Sequence, residues 1–123
     1  MSRKKMLIID DNSMIRDLFA ADFEDDFAVE TAINGRDGIL IALRSLPNII
    51  LLDINMPDIS GVEVVSELAS MHETENIPVV VITASEHNIA TERQLQPYKN
   101  VKGFLSKMTP TEKIKDTVRH ALL

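Results

Sequence analysis

Five side chains of this sequence have the types and placement to meet around one small charged group: Asp10, Asp11, Asp53, Thr83 and Lys107. Asp10 and Asp11 close the apolar run Met6-Leu7-Ile8-Ile9, Asp53 closes Ile49-Ile50-Leu51-Leu52, and Thr83 closes Val79-Val80-Val81-Ile82. A run without polar alternation reads as a strand buried on both faces, as in the middle of a parallel sheet covered by helices. Ligands of such sheets bind just beyond the carboxyl ends of the strands. Three carboxylates and a hydroxyl therefore converge on one crevice.

Carboxylates gathered in this way raise one another's pKa unless a cation intervenes. Two or three protein oxygens plus water suit Mg²⁺, or Mn²⁺, better than Ca²⁺, which prefers a fuller oxygen cage. Asp10-Asp11 alone could be a turn or a helix cap, as could Asn12 or Ser13. A second strand ending in Asp53 makes the metal reading the stronger. Beside such a cation Asp53 can be a ligand, a nucleophile or both. Thr83 and Lys107 then supply a hydroxyl donor and a fixed cation, which is what a phosphoryl group needs.

The elements that must hold these residues alternate strand and helix throughout, which predicts an α/β fold around a parallel sheet. Met14, Ile15, Leu18 and Phe19 recur at helical spacing after the first strand, and residues 27–33 read as a half-exposed second strand. Ile39, Leu40 and Leu43 mark a second helix, ended by Pro47. Ser60 and Glu63 form a capping-box pattern ahead of a third helix bearing Val62, Val65, Leu68 and Ala69 on one face. A fourth helix should follow Ser85 and be cut short by Pro97, before a fifth strand from Val101 to Leu105. Thr109-Pro110-Thr111-Glu112 predicts a second capping box with proline at the first helical position. Ile114, Val118, Ala121 and Leu122 supply the last buried stripe.

Strands one, three and four are wholly apolar and should be central, with two and five at the edges. Right-handed crossovers then give the order 2-1-3-4-5, a flavodoxin-like (βα)5 three-layer sandwich. That order reverses between strands one and three, where Asp10, Asp11 and Asp53 lie. Residues 1–123 read as a single domain.

Composition bounds the partners. Lys plus Arg number 13 against 19 Asp plus Glu, a formal charge of −6, so there is no built-in attraction to nucleic acid. Cysteine is absent, which excludes disulfides and thiol chemistry. The basic Ser2-Arg3-Lys4-Lys5 precedes an apolar stretch of four residues, too short for a signal peptide or a membrane span. The expectation is a cytoplasmic protein that does not engage a membrane.

The set Asp10-Asp11, Asp53-Ile54-Asn55-Met56-Pro57, Gly61, Thr83-Ala84 and Phe104-Leu105-Ser106-Lys107 resembles the receiver domain of two-component response regulators, in order and across essentially the whole chain. The resemblance implies a phosphoacceptor switch rather than an enzyme with turnover. Asp53 would accept the phosphoryl group from a histidine kinase, a phosphotransfer protein or a small acyl phosphate. Asp11, Asp53 and the main-chain carbonyl of Asn55 would hold Mg²⁺, with Asp10 acting largely through water. Lys107 would pair with Asp53, Thr83 and the Ala84 N–H would take the phosphoryl oxygens, and Phe104 would swing inward with Thr83. The face made by helix four, strand five and helix five would then change for a downstream effector or fused output domain. The protein would be a monomer or a phosphorylation-dependent dimer.

Departures from the family pattern carry expectations of their own. Met108 stands where proline usually follows the lysine. Because a non-proline cis bond costs about 2.5–4 kcal/mol, the Lys107–Met108 bond should be trans. Asn100 replaces a glycine and tolerates the left-handed conformation. Phe104 replaces the commoner tyrosine. A haloacid-dehalogenase-like hydrolase would need a second acid where Asn55 stands, and a flavin carrier would set its phosphate against Asp10 and Asp11. His72, His87 and His120 are too dispersed for a ligand set, and Gly35 and Gly38 read as a helix start rather than a phosphate loop.

Overall fold

The computed structural model describes residues 3–84 and 89–123. Strands and helices alternate as β1 (Lys5–Ile9), α1 (Ser13–Phe23), β2 (Ala28–Ala32), α2 (Gly35–Ser45), β3 (Ile49–Asp53), α3 (Gly61–Ala69), β4 (Val79–Thr83), α4 (Ile89–Leu95), β5 (Val101–Ser106) and α5 (Thr111–Ala121). All pairings are parallel, in the order β2-β1-β3-β4-β5, as the apolar runs require. Ser85 and His87 lie outside the described residues.

Strand alternation divides the core between two sheet faces. Leu7, Ile9, Ile50, Leu52, Val79 and Val81 pack with Ile39, Ala42, Val64, Val65, Leu68 and Leu95 of α2, α3 and α4. Met6, Ile8, Ile49, Leu51, Val80 and Ile82 pack with Phe19, Phe23, Ile114 and Val118 of α1 and α5. Both faces are covered, which is why β1, β3 and β4 carry no polar alternation. Burying each such side chain is worth about 1.5–3 kcal/mol. The sheet is thereby the rigid part from which its carboxyl edge projects.

Local details differ from the sequence expectation in several places. On α1 the stripe Phe19–Phe23 is buried, whereas Met14 and Leu18 are 72% and 57% exposed. On α2, Leu40 faces solvent while Ile39 and Ala42 are buried. Each helix offers two apolar stripes and the sheet can cover one. α5 starts at Thr111, with Pro110 as N-cap and no side-chain cap. The Ser106 hydroxyl takes the Met108 N–H instead at 3.0 Å, and the Ser106 carbonyl takes that of Thr109 at 3.0 Å. Asn100 does not adopt a left-handed backbone; it is buried and its carbonyl accepts the Val79 N–H at 2.7 Å. The left-handed non-glycine residue among those described is Leu46 (φ 49°), which ends α2.

β5 carries one extra residue, since Val79 pairs with Val101 but Val80 pairs with Gly103, leaving Lys102 as a bulge. A Cβ at Gly103 would lie 2.7 Å from Thr117 Cγ2, so glycine there lets α5 approach the sheet. His72 and His120 are exposed. Among the described residues no helix is long and apolar enough to cross a membrane.

Candidate functional site

Register brings the site together. Ile9 pairs with Leu52 and Asp53 with Ile82, so β1, β3 and β4 end nearly level. One ligand oxygen each from Asp10, Asp11 and Asp53 lies within 4.8 Å of the others. Asp10 and Asp53 are buried, at 2% and 5% exposure, and Asp11 is exposed.

Lys107 reaches this cluster from β5. Its main-chain N–H donates to the Thr83 carbonyl at 2.8 Å, which pins the residue to the tip of β4. Its Nζ lies 2.7 Å from Asp10 Oδ2 and 3.7 Å from Asp53 Oδ2. The ammonium therefore bridges both acids but sits closer to Asp10, where the family resemblance implied Asp53. No cis peptide bond occurs among the described residues, so the Lys107–Met108 bond is trans as expected.

Asp10 is held on every side. Its Oδ1 accepts the Asn12 N–H at 2.9 Å, Oδ2 receives Lys107, and its carbonyl accepts Arg16 Nη1 at 2.8 Å. Arg16 was not a sequence candidate. Its only signal was spacing, since the first turns of α1 carry it back over the β1–α1 junction. Asp53 accepts the Asn55 N–H at 3.3 Å. Its pKa is pushed up to about 6, first by burial and next by the charge of Asp10. Lys107 and the Asn55 N–H oppose that rise, and Asp11 adds to it.

A single ammonium among three carboxylates leaves the pocket short of positive charge. All the donors are hard oxygens, so the group that fits is a hard divalent cation such as Mg²⁺. The loop after Asp53 is built for closeness. The Gly61 N–H donates to the Ile54 carbonyl at 2.9 Å, and a Cβ at Gly61 would meet Ile54 Cα at 2.7 Å and the Asp53 carbonyl at 2.8 Å. Asp58, also unmarked by the sequence reading, reaches back from this loop to the start of α2.

Thr83 is buried and alternates with Val79 and Val81, which places it on the α2–α3–α4 side of the sheet. Phe104 pairs with Val81 and packs in the same cluster, so Thr83 and Phe104 share a face. Ala84 follows at the exposed edge. Between α4 and β5 lies a groove of about 300 Å³ lined by Leu95, Tyr98, Val101 and Phe104, with Glu92 and Lys102 at its rim.

A parallel 2-1-3-4-5 sheet with an acid cluster and a lysine at its carboxyl edge defines a class, and comparison with known proteins gives the same one. The family model of the response regulator receiver domain matches residues 6–119. The chain belongs to that family, the receiver domains of two-component signalling. It is 40% identical to the response regulator PleD of Caulobacter vibrioides over 81 residues, 65% of this chain and 18% of PleD. The chain thus spans less than a fifth of that relative's length. The chemotaxis protein CheY4 of Vibrio cholerae superposes with a TM-score of 0.90 at 25% identity, covering 98% of this chain and all of that one. TrrA of Thermotoga maritima, solved in complex with Mg(2+)-BeF, gives a TM-score of 0.84 at 25% identity, covering 97% of this chain and 99% of TrrA.

Proposed function

We propose that the chain is a phosphoacceptor switch in which Asp53 takes a phosphoryl group from a phosphohistidine or a small acyl phosphate. The observation that carries this reading is the pocket itself: three acidic oxygens within 4.8 Å, bridged by the Lys107 ammonium. Asp11, Asp53 and the Asn55 carbonyl would hold Mg²⁺, with Asp10 one layer out. TrrA, solved in complex with Mg(2+)-BeF, supports that ion as the occupant. When bound, the ion neutralises charge on the incoming phosphoryl oxygens.

A carboxylate oxygen of Asp53 attacks phosphorus in line. The bond from phosphorus to the donor nitrogen, or to the acyl oxygen, breaks as the new P–O bond forms. The electron pair leaves with the donor; an imidazole leaving group takes up a proton from solvent. Lys107 follows the negative charge from Asp10 towards the phosphoryl group, a short move given its placement between the two acids. The Thr83 hydroxyl and the Ala84 N–H close on the remaining oxygens. Thr83 leaves its place beside Phe104, which turns inward and reshapes the groove between α4 and β5 for an effector. A histidine kinase or phosphotransfer protein is the donor partner, and the switch acts in the cytoplasm.

Return to the resting state is slow, because the residue two beyond Asp53 is Asn55. An amide cannot serve as general acid or base for the attacking water. The test is intact-mass measurement after incubation with a small acyl phosphate and Mg²⁺. The parent should gain one phosphoryl group, a chelator should prevent it, and Asp53→Ala should gain none. Labelling of that variant would refute the assignment.

A further inference from the structure

The Gly35, Arg36 and Asp37 amides, which have no acceptor within α2, all find partners, and these divide into two kinds. Asn34 Oδ1 accepts the Asp37 N–H at 2.9 Å, and Asp37 Oδ2 accepts the Ile33 N–H at 3.1 Å. That is a local cap built from the residues at the helix start. The Gly38 N–H already donates to the Asn34 carbonyl at 2.9 Å. The Gly35 and Arg36 amides go elsewhere. Gly35 N–H donates to Asp58 Oδ1 at 3.1 Å and Arg36 N–H to Asp58 Oδ2 at 2.8 Å. One carboxylate, 22 residues along the chain, takes both.

Asp58 belongs to the loop that joins β3 to α3 and contains Asn55. Asn55 N–H donates to Asp53 at the start of that loop, and Gly61 N–H, at the start of α3, donates to the Ile54 carbonyl and closes the loop at its base. Between these two points Asp58 fastens it to α2. Packing supports the same contact, since a Cβ at Gly35 would fall 2.5 Å from Ile59 Cγ1 and 2.9 Å from Val64 Cγ2. The Asp58 carboxyl is held below the usual carboxylate range, first by the Arg36 amide.

We infer that Asp58 is a positioning residue for the metal site: by gripping the first two amides of α2 it fixes the loop that presents the Asn55 carbonyl. The inference rests on the reading that this carbonyl is a metal ligand. Partners one layer out from a metal ligand commonly change metal affinity by about tenfold or more when removed. Coupling is reciprocal, so an ion that prefers the fixed loop must also favour the Asp58–α2 contact.

Mg²⁺ titration of the metal-free protein by calorimetry tests this, with Asp58→Ala, Asp58→Asn and Asn34→Ala beside the parent. Asn34→Ala weakens the start of α2 without touching the loop. Asp58→Ala should weaken Mg²⁺ binding about tenfold, Asp58→Asn should fall between, and Asn34→Ala should lower the melting temperature while leaving the Mg²⁺ affinity as in the parent. In parent spectra the Gly35 and Arg36 amide signals should move with Mg²⁺ along the binding curve, and in Asp58→Ala they should not. Parent-like affinity in both Asp58 variants would overturn the inference alone. So would a loss in Asn34→Ala matching that in Asp58→Ala, since that makes the role merely structural. A parent that binds no Mg²⁺ would remove the functional reading, and this inference with it.

Discussion

Asp53→Asn should stabilise the metal-free protein at neutral pH, although it deletes the residue proposed to carry the function. Asp53 titrates near 6 in the fold, against 3.8 for a free carboxyl. The folded chain therefore holds that proton more tightly than the unfolded chain. The stability this confers is complete below the unfolded value and is lost as pH rises through the folded one. Integrated over that window, ionising Asp53 costs at most about 3 kcal/mol by about pH 7.5, and about 0.5 kcal/mol near pH 4. An asparagine keeps the shape and the acceptor for the Asn55 N–H without the charge, while Lys107 retains Asp10 at 2.7 Å.

Urea unfolding in chelator reads the difference. With a slope of about 2 kcal/mol per molar, the variant's midpoint at pH 7.5 should exceed the parent's by up to about 1.5 M, shrinking to a few tenths near pH 4. Adding Mg²⁺ at about a hundred times its dissociation constant should return roughly 2.7 kcal/mol to the parent and little to the variant. Parallel pH profiles for the two proteins, or a variant less stable at pH 7.5, would refute the claim that burial and the charge of Asp10 make ionised Asp53 costly in the fold.

Two further substitutions probe the frame. Leu46→Asn should raise stability by about 0.5–1 kcal/mol, because Leu46 holds a left-handed backbone (φ 49°) that asparagine adopts more readily; a melting curve checks it, and an unchanged midpoint counts against strain there. Gly61→Ala should destabilise by about 2 kcal/mol or more and impair acyl-phosphate labelling, since its Cβ would press on the Asp53 carbonyl and Ile54 Cα. Parent-like stability would show that the β3–α3 junction has room to yield.

The strand tips were legible in the sequence because burial on both faces leaves an unbroken apolar run, and the first polar residue after it marks the edge. Sheet order, and the meeting of Asp10, Asp11 and Asp53, follow from that. Which stripe of α1 faces the sheet was not legible, since Met14–Leu18 and Ile15–Phe19 offer the same spacing and packing chooses between them. The Asp58 clamp and the Arg16 contact were hidden for a related reason. Each joins residues that only the fold brings near, and a polar residue in a loop or on a helix announces no distant partner. The seat of Lys107 depends on how far its main-chain bond to Thr83 carries the side chain over β1, a matter of a single ångström between two carboxylates.

The bulge at Lys102 has a consequence for the surface beside α4. In an even strand, residues three apart point to opposite sides, so Val101 and Phe104 could not both look towards Leu95. The inserted residue resets the phase: Val101 joins Val79 on the α4 side, Gly103 passes beneath α5, and Phe104 returns to the α4 side. The concavity between helix and strand thus owes its second aromatic wall to one irregular peptide. In a regular strand of the same residues Lys102 would pair with Val80 and Phe104 with Ile82, on the α5 side of the sheet and apart from Thr83. On the reading that Phe104 turns with Thr83, that one extra peptide in β5 is what keeps the two within reach of each other.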